Sequence, residues 1–321
     1  MTVCPMPELP EVETIRRDLI KKILNKKITV VKVLKARSVG GSAAPFIKIL
    51  TGNSFSRVDR RGKLLILRFA SAALIGSGKT APTALLCHLK MTGQLIYEKE
   101  TKTKIEIVAG GHKLSEKDID ALPNQWTRIA FVFADGSELF FNDLRLFGYM
   151  KLASTEEVEK ALKKYGPEPI EIPLPAGEGQ RVRAHSPEFI FDYFSSLFSK
   201  RKNTTLKALL LNQELIAGLG NIYVDEVCFC AGVRPMRRVG SVSKAEQKKI
   251  FVCIPKVLTK ALKHRGTTFR NFLDSSGKKG NYTDFLRVYD RDGEPCKHCG
   301  TIIRKTVAAG RGTHFCPSCQ R

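Results

Sequence analysis

No stretch of this 321-residue chain is a long hydrophobic run; the longest apolar segment, after Lys63, is broken by Arg68. A membrane-spanning helix would need about 20 apolar residues. An apolar signal segment and a lipidation motif are lacking too, so a cytosolic, reducing setting is expected. A complete phosphate-binding loop is also missing. Gly76-Ser-Gly-Lys-Thr80 resembles the end of one, but the pattern requires a Gly five residues before Gly78, and position 73 is Ala. A nucleotide cofactor is therefore not expected, and no internal repeat suggests a solenoid. Acidic residues are scarce: 31 Asp and Glu stand against 54 Lys and Arg, a formal net charge of +23. An excess of this size implies a polyanionic partner, with nucleic acid ahead of an anionic membrane. The cations recur along the chain, at Lys21, Lys22, Lys26 and Lys27, at Arg60, Arg61 and Lys63, at Lys200, Arg201 and Lys202, and at Arg234, Arg237 and Arg238. Any one cluster reads as a solvated face; their sum carries the inference.

What is present is concentrated at the C-terminus. Cys296-x2-Cys299 and Cys316-x2-Cys319 are separated by sixteen residues. Two close thiolate pairs suit tetrahedral Zn²⁺, and the gap suits a short β-hairpin. About 26 residues cannot bury a core of their own, so the metal is expected to fold the module. The competing reading, two disulfides, fits a reducing setting poorly. One structural zinc is expected, because four thiolates leave no open position for catalysis. His298, inside the first knuckle, reads as a surface residue or phosphate contact rather than a ligand. Cys4, Cys87, Cys228, Cys230 and Cys253 lack knuckle spacing and read as reduced thiols.

The length allows roughly two domains with cores. Residues 10–24 read as an amphipathic helix, with Val12, Ile15, Leu19 and Ile23 at three- and four-residue spacing, Pro10 in its first turn, acids first and lysines last. Strand-like runs follow at 28–34, 64–69, 85–89, 95–97, 129–133 and 138–141, with Asp135-Gly136 as a hairpin turn between the last two. This half reads as a β-sandwich with a leading helix, in an α+β protein. Ser154-x-x-Glu157 is a capping box for a short helix ending near Gly166, and the Pro/Gly-rich segment from Gly166 to Gly179 reads as a linker. Helices are then expected from Ser186-Pro187, from Thr204-Thr205, from Asn221, and from Ser243 to about His264. Residues 274–284 have loop composition.

Met6-Pro-Glu-Leu-Pro-Glu-Val-Glu-Thr14 resembles the N-terminal signature of the formamidopyrimidine-DNA glycosylases. Arg61-Gly-Lys63, His88-Leu-Lys-Met-Thr-Gly93, Asp143-Leu-Arg-Leu-Phe-Gly148, Gly218-Leu-Gly-Asn-Ile-Tyr-Val-Asp-Glu226 and the paired cysteines follow in that family's order, across nearly the whole chain. The resemblance implies a β-sandwich catalytic domain (7–165), a linker (166–185), a helix–two-turns–helix domain (186–285) and a zinc finger (286–321). It implies a base-excision-repair enzyme of damaged duplex DNA that flips out an oxidised purine, removes the base and cuts the backbone by β,δ-elimination; a monomer is expected.

By the same resemblance, Pro7 is the nucleophile that forms an imine with sugar C1′. An internal proline cannot do this, because its nitrogen lone pair is delocalised into an amide. Here Met1-Thr-Val-Cys-Pro5 precedes Met6, so the active form is expected to begin at Pro7. Glu8 corresponds to the acid that protonates the opening sugar ring, Glu11 to a positioning group, and Lys63 to the strand lysine that holds phosphate and assists elimination. Met91, Arg145 and Phe147 correspond to the side chains that fill the gap left by the flipped nucleotide, though a Met or Phe is by itself more often core. Asn221 and Lys207 correspond to DNA contacts, and Arg311, in Gly-Arg-Gly-Thr, to a phosphate-gripping arginine at a hairpin tip. Loop 274–284 aligns with a lid over the damaged base. Leu146 departs from the family, where many members carry a basic residue. Two other readings stay open: an endonuclease VIII-type enzyme for oxidised pyrimidines, against which Leu9 and Val12 argue, and a non-catalytic zinc-ribbon DNA-binding protein.

Overall fold

The computed structural model describes residues 6–70, 81–101, 104–105, 122–172, 189–267 and 282–321. They fall into two compact units, Met1–Lys163 with Arg265–Asn281, and Lys164–His264 with Tyr282–Arg321.

The first unit opens with helix α1 (Leu9–Ile23). The expected stripe is its core face: Val12, Ile15, Leu19 and Ile23 are all sealed from solvent. The helix is less amphipathic than its sequence, however, because Glu11, Glu13, Arg16 and Asp18 are buried as well. Strands β1 (Ile28–Val33), β2 (Phe55–Arg61), β3 (Leu64–Phe69), β4 (Ala84–His88) and β5 (Gly93–Glu98) follow, with helix α2 (Ala43–Leu50) after β1. A two-residue ladder pairs β6 (Glu100–Thr101) with β7 (Lys104–Ile105). Strands β8 (Thr127–Phe133), β9 (Glu138–Asp143) and β10 (Tyr149–Ala153) and helix α3 (Thr155–Leu162) complete the unit. Two antiparallel four-stranded sheets result, ordered β1-β8-β9-β5 and β10-β4-β3-β2. One core joins them: Leu65, Leu67, Leu85 and Cys87 from one sheet meet Leu95, Ile129, Phe131 and Phe141 from the other. Asp135-Gly136 turns β8 into β9, and Ser154 caps α3 through its reciprocal pair with Glu157.

Strand β2 is not legible in the sequence. Its residues, Phe-Ser-Arg-Val-Asp-Arg-Arg, read as surface, yet Phe55, Val58 and Arg60 point inward. A buried Arg satisfied by a buried carboxylate looks polar in the sequence and core-like in the fold.

In the second unit, residues 166–170 are buried. Gly166 donates to the Gln213 carbonyl at 2.9 Å, and a Cβ on Gly166 would lie 2.5 Å from the Leu215 backbone. Among the described residues four helices follow: α4 (Phe191–Lys200), α5 (Leu206–Leu211), α6 (Asn221–Ala231) and α7 (Lys244–Lys263). Thr205 and Ser243 cap α5 and α7 with their hydroxyls. The start expected at Ser186-Pro187 lies outside the described residues. The unit ends in a hairpin, β11 (Arg304–Ala308) with β12 (Arg311–Phe315). Its two-residue turn, Ala309-Gly310, has positive φ at both positions (53° and 68°), the backbone that matches strand twist.

One cysteine expectation is overturned. Cys230 on α6 and Cys253 on α7 form a disulfide rather than two free thiols, with Cα atoms 5.9 Å apart. Sequence spacing could not show this, because the pair meets only when the two helices pack. Cys87 and Cys228 are free, as expected, and burial pushes both thiols far above the ordinary cysteine range. Cys4 lies outside the described residues. Closing a loop with a sequence separation of 23 should stabilise the fold by about 3 kcal/mol. Cys253→Ser is expected to lose about that much in urea unfolding under oxidising conditions, and little when the parent is compared in reductant.

Candidate active site and zinc module

The N-terminus of α1 holds two of the expected catalytic groups, Pro7 and Glu8. Pro7 is buried directly before Glu8, and Glu8 is the N-cap. Glu11 Oε2 accepts the Glu8 N–H at 3.0 Å, half of a reciprocal capping box. Glu8 therefore lies at the positive end of the helix dipole, where an anion is favoured. The other oxygen of Glu11, Oε1, accepts the Thr267 N–H at 2.8 Å and the Thr267 hydroxyl at 3.2 Å. Only glycine fits at position 266, which has φ +81° and whose Cβ would lie 2.4 Å from Glu11 Oε1. Glu11 thus ties the start of α1 to the chain just before residues 268–281. The lid expected at 274–284 lies outside the described residues, except for 282–284 in a short 3₁₀ turn of the second unit.

Lys63 sits in the two-residue connection between β2 and β3, and it is 3 % exposed. Nothing in the sequence hints at what holds it there. Glu13 accepts from Arg16 (2.9 and 3.0 Å), Arg17 (2.8 Å) and Arg60 (3.1 Å), and Arg60 Nη1 donates to the Gly62 carbonyl at 2.8 Å. Burial would raise the Glu13 pKa, but the Arg16 and Arg60 guanidiniums overcome it and hold the carboxyl below its ordinary value. A buried anion on the helix thus fixes the turn beside Lys63. Glu13→Gln removes the buried charge that faces the Arg16 and Arg60 guanidiniums. It should cost about 3–5 kcal/mol, read as a lower urea midpoint, and slow strand cleavage with it.

Met91, Arg145 and Phe147 come together. Arg145 Nη1 lies 3.5 Å from Met91 Sδ, and its guanidinium stacks 4.8 Å from the Phe147 ring centroid. Phe147 is 49 % exposed, so it is not a core residue. Two pinned turns carry the three. Asp143 accepts from the Thr92 hydroxyl, from Arg145 N–H at 3.2 Å and from Gly148 N–H at 2.7 Å, while Gly93 closes its turn on the Leu89 carbonyl at 2.9 Å. Leu146 takes a left-handed φ of 57° between them. Thr92 and Asp143, both buried, build the site, yet sequence reasoning does not single them out although both lie within its motifs. A pocket of about 680 Å³ opens here, lined by Met6, Arg37, Gly40, Lys90, Met91, Leu146, Phe147, Gly148, Tyr149 and Lys151. That falls in the range of about 300–1,000 Å³ usual for small-molecule sites. Nearby His88 is neutral: burial, then the Lys90 and Lys63 charges, pushes its pKa down to about 3, and its Nδ1 accepts the Lys90 N–H.

In the second unit, Asn221 is the first residue of α6; Gly220, not Asn221, is the N-cap. Its Nδ2 donates to the Gly312 carbonyl at 3.1 Å, which places it beside exposed Arg311 at the hairpin tip. Lys207 corrects an expectation. It is 0 % exposed, its ammonium bonded to Asp225 at 2.6 Å and to the Gly312 carbonyl at 3.1 Å. It has no surface to offer DNA; it braces the hairpin from within. Neighbouring Glu226 accepts the N–H groups of Arg287, Val288 and Tyr289 at 2.9–3.1 Å, which anchors the segment leading into the cysteine module.

The four cysteines cluster. Sγ–Sγ distances are 3.9 Å (296–319), 3.5 Å (299–316) and 3.3 Å (299–319). Tetrahedral zinc with bonds of about 2.3 Å spaces its sulfurs about 3.8 Å apart, and the four groups fit one ion. Backbone N–H groups point at Cys296 and Cys316 Sγ within the two knuckles, as metal-bound thiolates require. His298 is exposed, with Nδ1 3.5 Å from Cys319 Sγ, outside the four-sulfur set.

Comparison with known proteins agrees with this layout. Three family models match: the formamidopyrimidine-DNA glycosylase N-terminal domain over residues 6–150, the formamidopyrimidine-DNA glycosylase H2TH domain over 182–272, and a zinc finger found in FPG and IleRS over 293–321. Formamidopyrimidine-DNA glycosylase of Symbiobacterium thermophilum is 38% identical over 98% of this chain and 89% of its own length; that of Ligilactobacillus salivarius is 37% identical over 98% and 99%. The Lactococcus lactis Fpg solved with DNA containing an abasic site superposes with a TM-score of 0.77 at 32% identity, covering 98% of this chain and 99% of that one. A MutM complex with DNA containing carbocyclic 8-oxo-G gives 0.76 at 31%, covering 98% and 100%. The sandwich, the helical unit and the zinc module each match in order, and the chain belongs to the formamidopyrimidine-DNA glycosylase family.

Proposed function

We propose that the chain is a bifunctional DNA glycosylase and abasic-site lyase of base excision repair, acting on 8-oxoguanine and formamidopyrimidines in duplex DNA. One observation carries the reading: Pro7 and Glu8 lie buried at the start of α1, next to a residue (Met6) that opens onto a pocket walled by Met91 and Phe147. The relatives' names, and the solved complexes with abasic, Fapy-dG and 8-oxo-G DNA, support the same substrate class.

The chemistry follows from the groups. Flipping a nucleotide costs a few kcal/mol of unstacking, which the exposed Phe147 wedge and the fork of Arg145 offset. The Pro7 nitrogen, free as a terminal amine, adds to C1′; the bond from C1′ to the base breaks, and the base leaves with a proton. Glu8 protonates O4′ as the ring opens, leaving an iminium between Pro7 and C1′. Removal of a C2′ proton then expels the 3′-phosphate, and a second elimination expels the 5′-phosphate. Lys63 holds the phosphate beside the reacting sugar. In the second unit, Asn221 and Arg311 grip the backbone, and zinc keeps the tip carrying Arg311 in shape. No helix among the described residues is long and apolar enough to cross a membrane. A monomer working in the cytoplasm on the chromosome completes the proposal.

Borohydride trapping on abasic duplex tests it. A chain beginning at Pro7 should give a covalent protein–DNA complex and cleave 8-oxoguanine duplexes. Glu8→Gln should bind the same DNA and turn over at least 100-fold more slowly. DNA binding with no trapped complex would favour the non-catalytic binder, and cleavage confined to oxidised pyrimidines would favour the endonuclease VIII-type reading.

A further inference from the structure

We infer that Asp290, Asp292 and His314 form a second metal site, distinct from the four cysteines, for a borderline divalent cation such as Zn²⁺, Co²⁺ or Ni²⁺. One ligand atom from each of the three lies within 4.8 Å of the others. The decisive group is His314 on β12. It is 3 % exposed, and neither ring nitrogen makes a hydrogen bond. Its Nε2 is aimed at Asp292 Oδ1, 3.3 Å away, and its Nδ1 lies 3.4 Å from Asp225 Oδ2.

A buried imidazole whose two nitrogens make no hydrogen bond is costly. A cation seated between Nε2 and the two aspartates gives Nε2 the partner it lacks. Metal bonds of about 2.0–2.2 Å put neighbouring ligand atoms roughly 3.3–3.6 Å apart in tetrahedral geometry, and the Nε2–Oδ1 separation fits. Asp225 would serve as the outer carboxylate that orients a ligating histidine. It is itself fixed, by Lys207 Nζ at 2.6 Å and by the His314 N–H at 2.8 Å.

The aspartates are also held in place. Glu226 clamps the three residues before Asp290; Asp290 takes a left-handed φ of 55°; Gly293 N–H bonds the Ile303 carbonyl at 3.1 Å. Tyr289 packs edge-on against the imidazole at 5.0 Å. Asp290 and Asp292 are exposed, so an ion has an open approach to a buried base. One imidazole with two carboxylates selects zinc-like ions over Mg²⁺ or Ca²⁺, which prefer all-oxygen shells. One competitor is present: Lys305 Nζ lies 3.6 Å from the same Asp292 oxygen. Both partners are about half exposed, so that pair is weak and a divalent ion should displace it.

Cobalt titration of the reduced, full-length apoprotein tests the site. The first equivalent should give the intense sulfur-to-cobalt charge transfer of the cysteine cluster. A second should add weak visible bands with no further charge transfer. Asp290→Asn/Asp292→Asn should lose the second equivalent, with at least a tenfold drop in affinity, and keep the first. Lys305→Ala should bind the second ion several-fold more tightly. Saturation at one equivalent overturns the inference, and so does a second equivalent that survives the double variant. Because the readout is metal content and spectrum, it stands or falls apart from the repair activity.

Discussion

A chain that begins at Pro7 is expected to be trapped on abasic DNA by borohydride, and a chain that keeps residues 1–6 is expected to be trapped at least a thousandfold less. Two arguments give this size. The first is electronic. In the longer chain the Pro7 nitrogen is an amide, its lone pair committed to a bond with partial double-bond character and a rotation barrier of about 18–20 kcal/mol. As a terminal amine it is a nucleophile, and a better-placed one than lysine. With a terminal amine near 8 and lysine near 10.4, the neutral fraction at pH 7 differs by roughly a hundredfold or more. The start of α1 adds to this, because the positive end of the dipole disfavours the protonated amine. The second argument is steric. Met6 lines the pocket that Met91 and Phe147 wall, so it stands where the proposed function brings the flipped sugar. N-terminal sequencing beside the trapping assay decides the matter. Equal trapping by a chain shown to retain Met1 would end the terminal-amine assignment, and Lys63 would be the next nucleophile to test by substitution.

The groups of the candidate site lie close together in short motifs, which is why the sequence brings them to notice. Pro7, Glu8 and Glu11 span a single turn at the head of α1. Met91 shares a tight turn with Thr92, and Arg145 shares one with Phe147. The core stripe of α1 and the caps at Ser154, Thr205 and Ser243 are readable because local spacing alone decides them. What stays hidden depends on partners far apart in sequence. Arg60 looks like surface charge until Glu13, 47 residues away, is found beside it. Lys207 reads as one more cation for DNA until Asp225 and the Gly312 carbonyl claim it. Cys230 and Cys253 read as thiols until α6 packs on α7. Net charge points correctly to nucleic acid, and it misleads at Lys207, because composition cannot tell a solvated cation from a buried one.

Removing zinc should abolish DNA binding before it touches the chemistry. The module's apolar core is small: Val288 and Ile303, with Cys296 and Cys316 and an edge of Phe229. Burying so little cannot offset the ordering of some 26 residues, whereas structural zinc contributes about 10–16 kcal/mol. Without it the β11–β12 hairpin loses its frame, and the losses spread inward. Lys207 and Asn221 both direct a donor at the Gly312 carbonyl, and Asp225 turns an oxygen to the His314 N–H. A loosened hairpin leaves those groups short of partners at the place where Asn221 and Arg311 should meet phosphate. Cys299→Ser, or chelation of the parent, is therefore expected to weaken binding to abasic duplex at least 100-fold. Arg311→Ala should cost less, and should lower the slope of log K against log salt by about one, the signature of a single lost phosphate contact. Pro7 and Glu8 belong to the other unit, so high concentrations of DNA should restore a trapped complex to the zinc-free protein. Zinc-free protein that binds within threefold of the parent would show that the hairpin folds without its metal, and that Arg311 needs no such support.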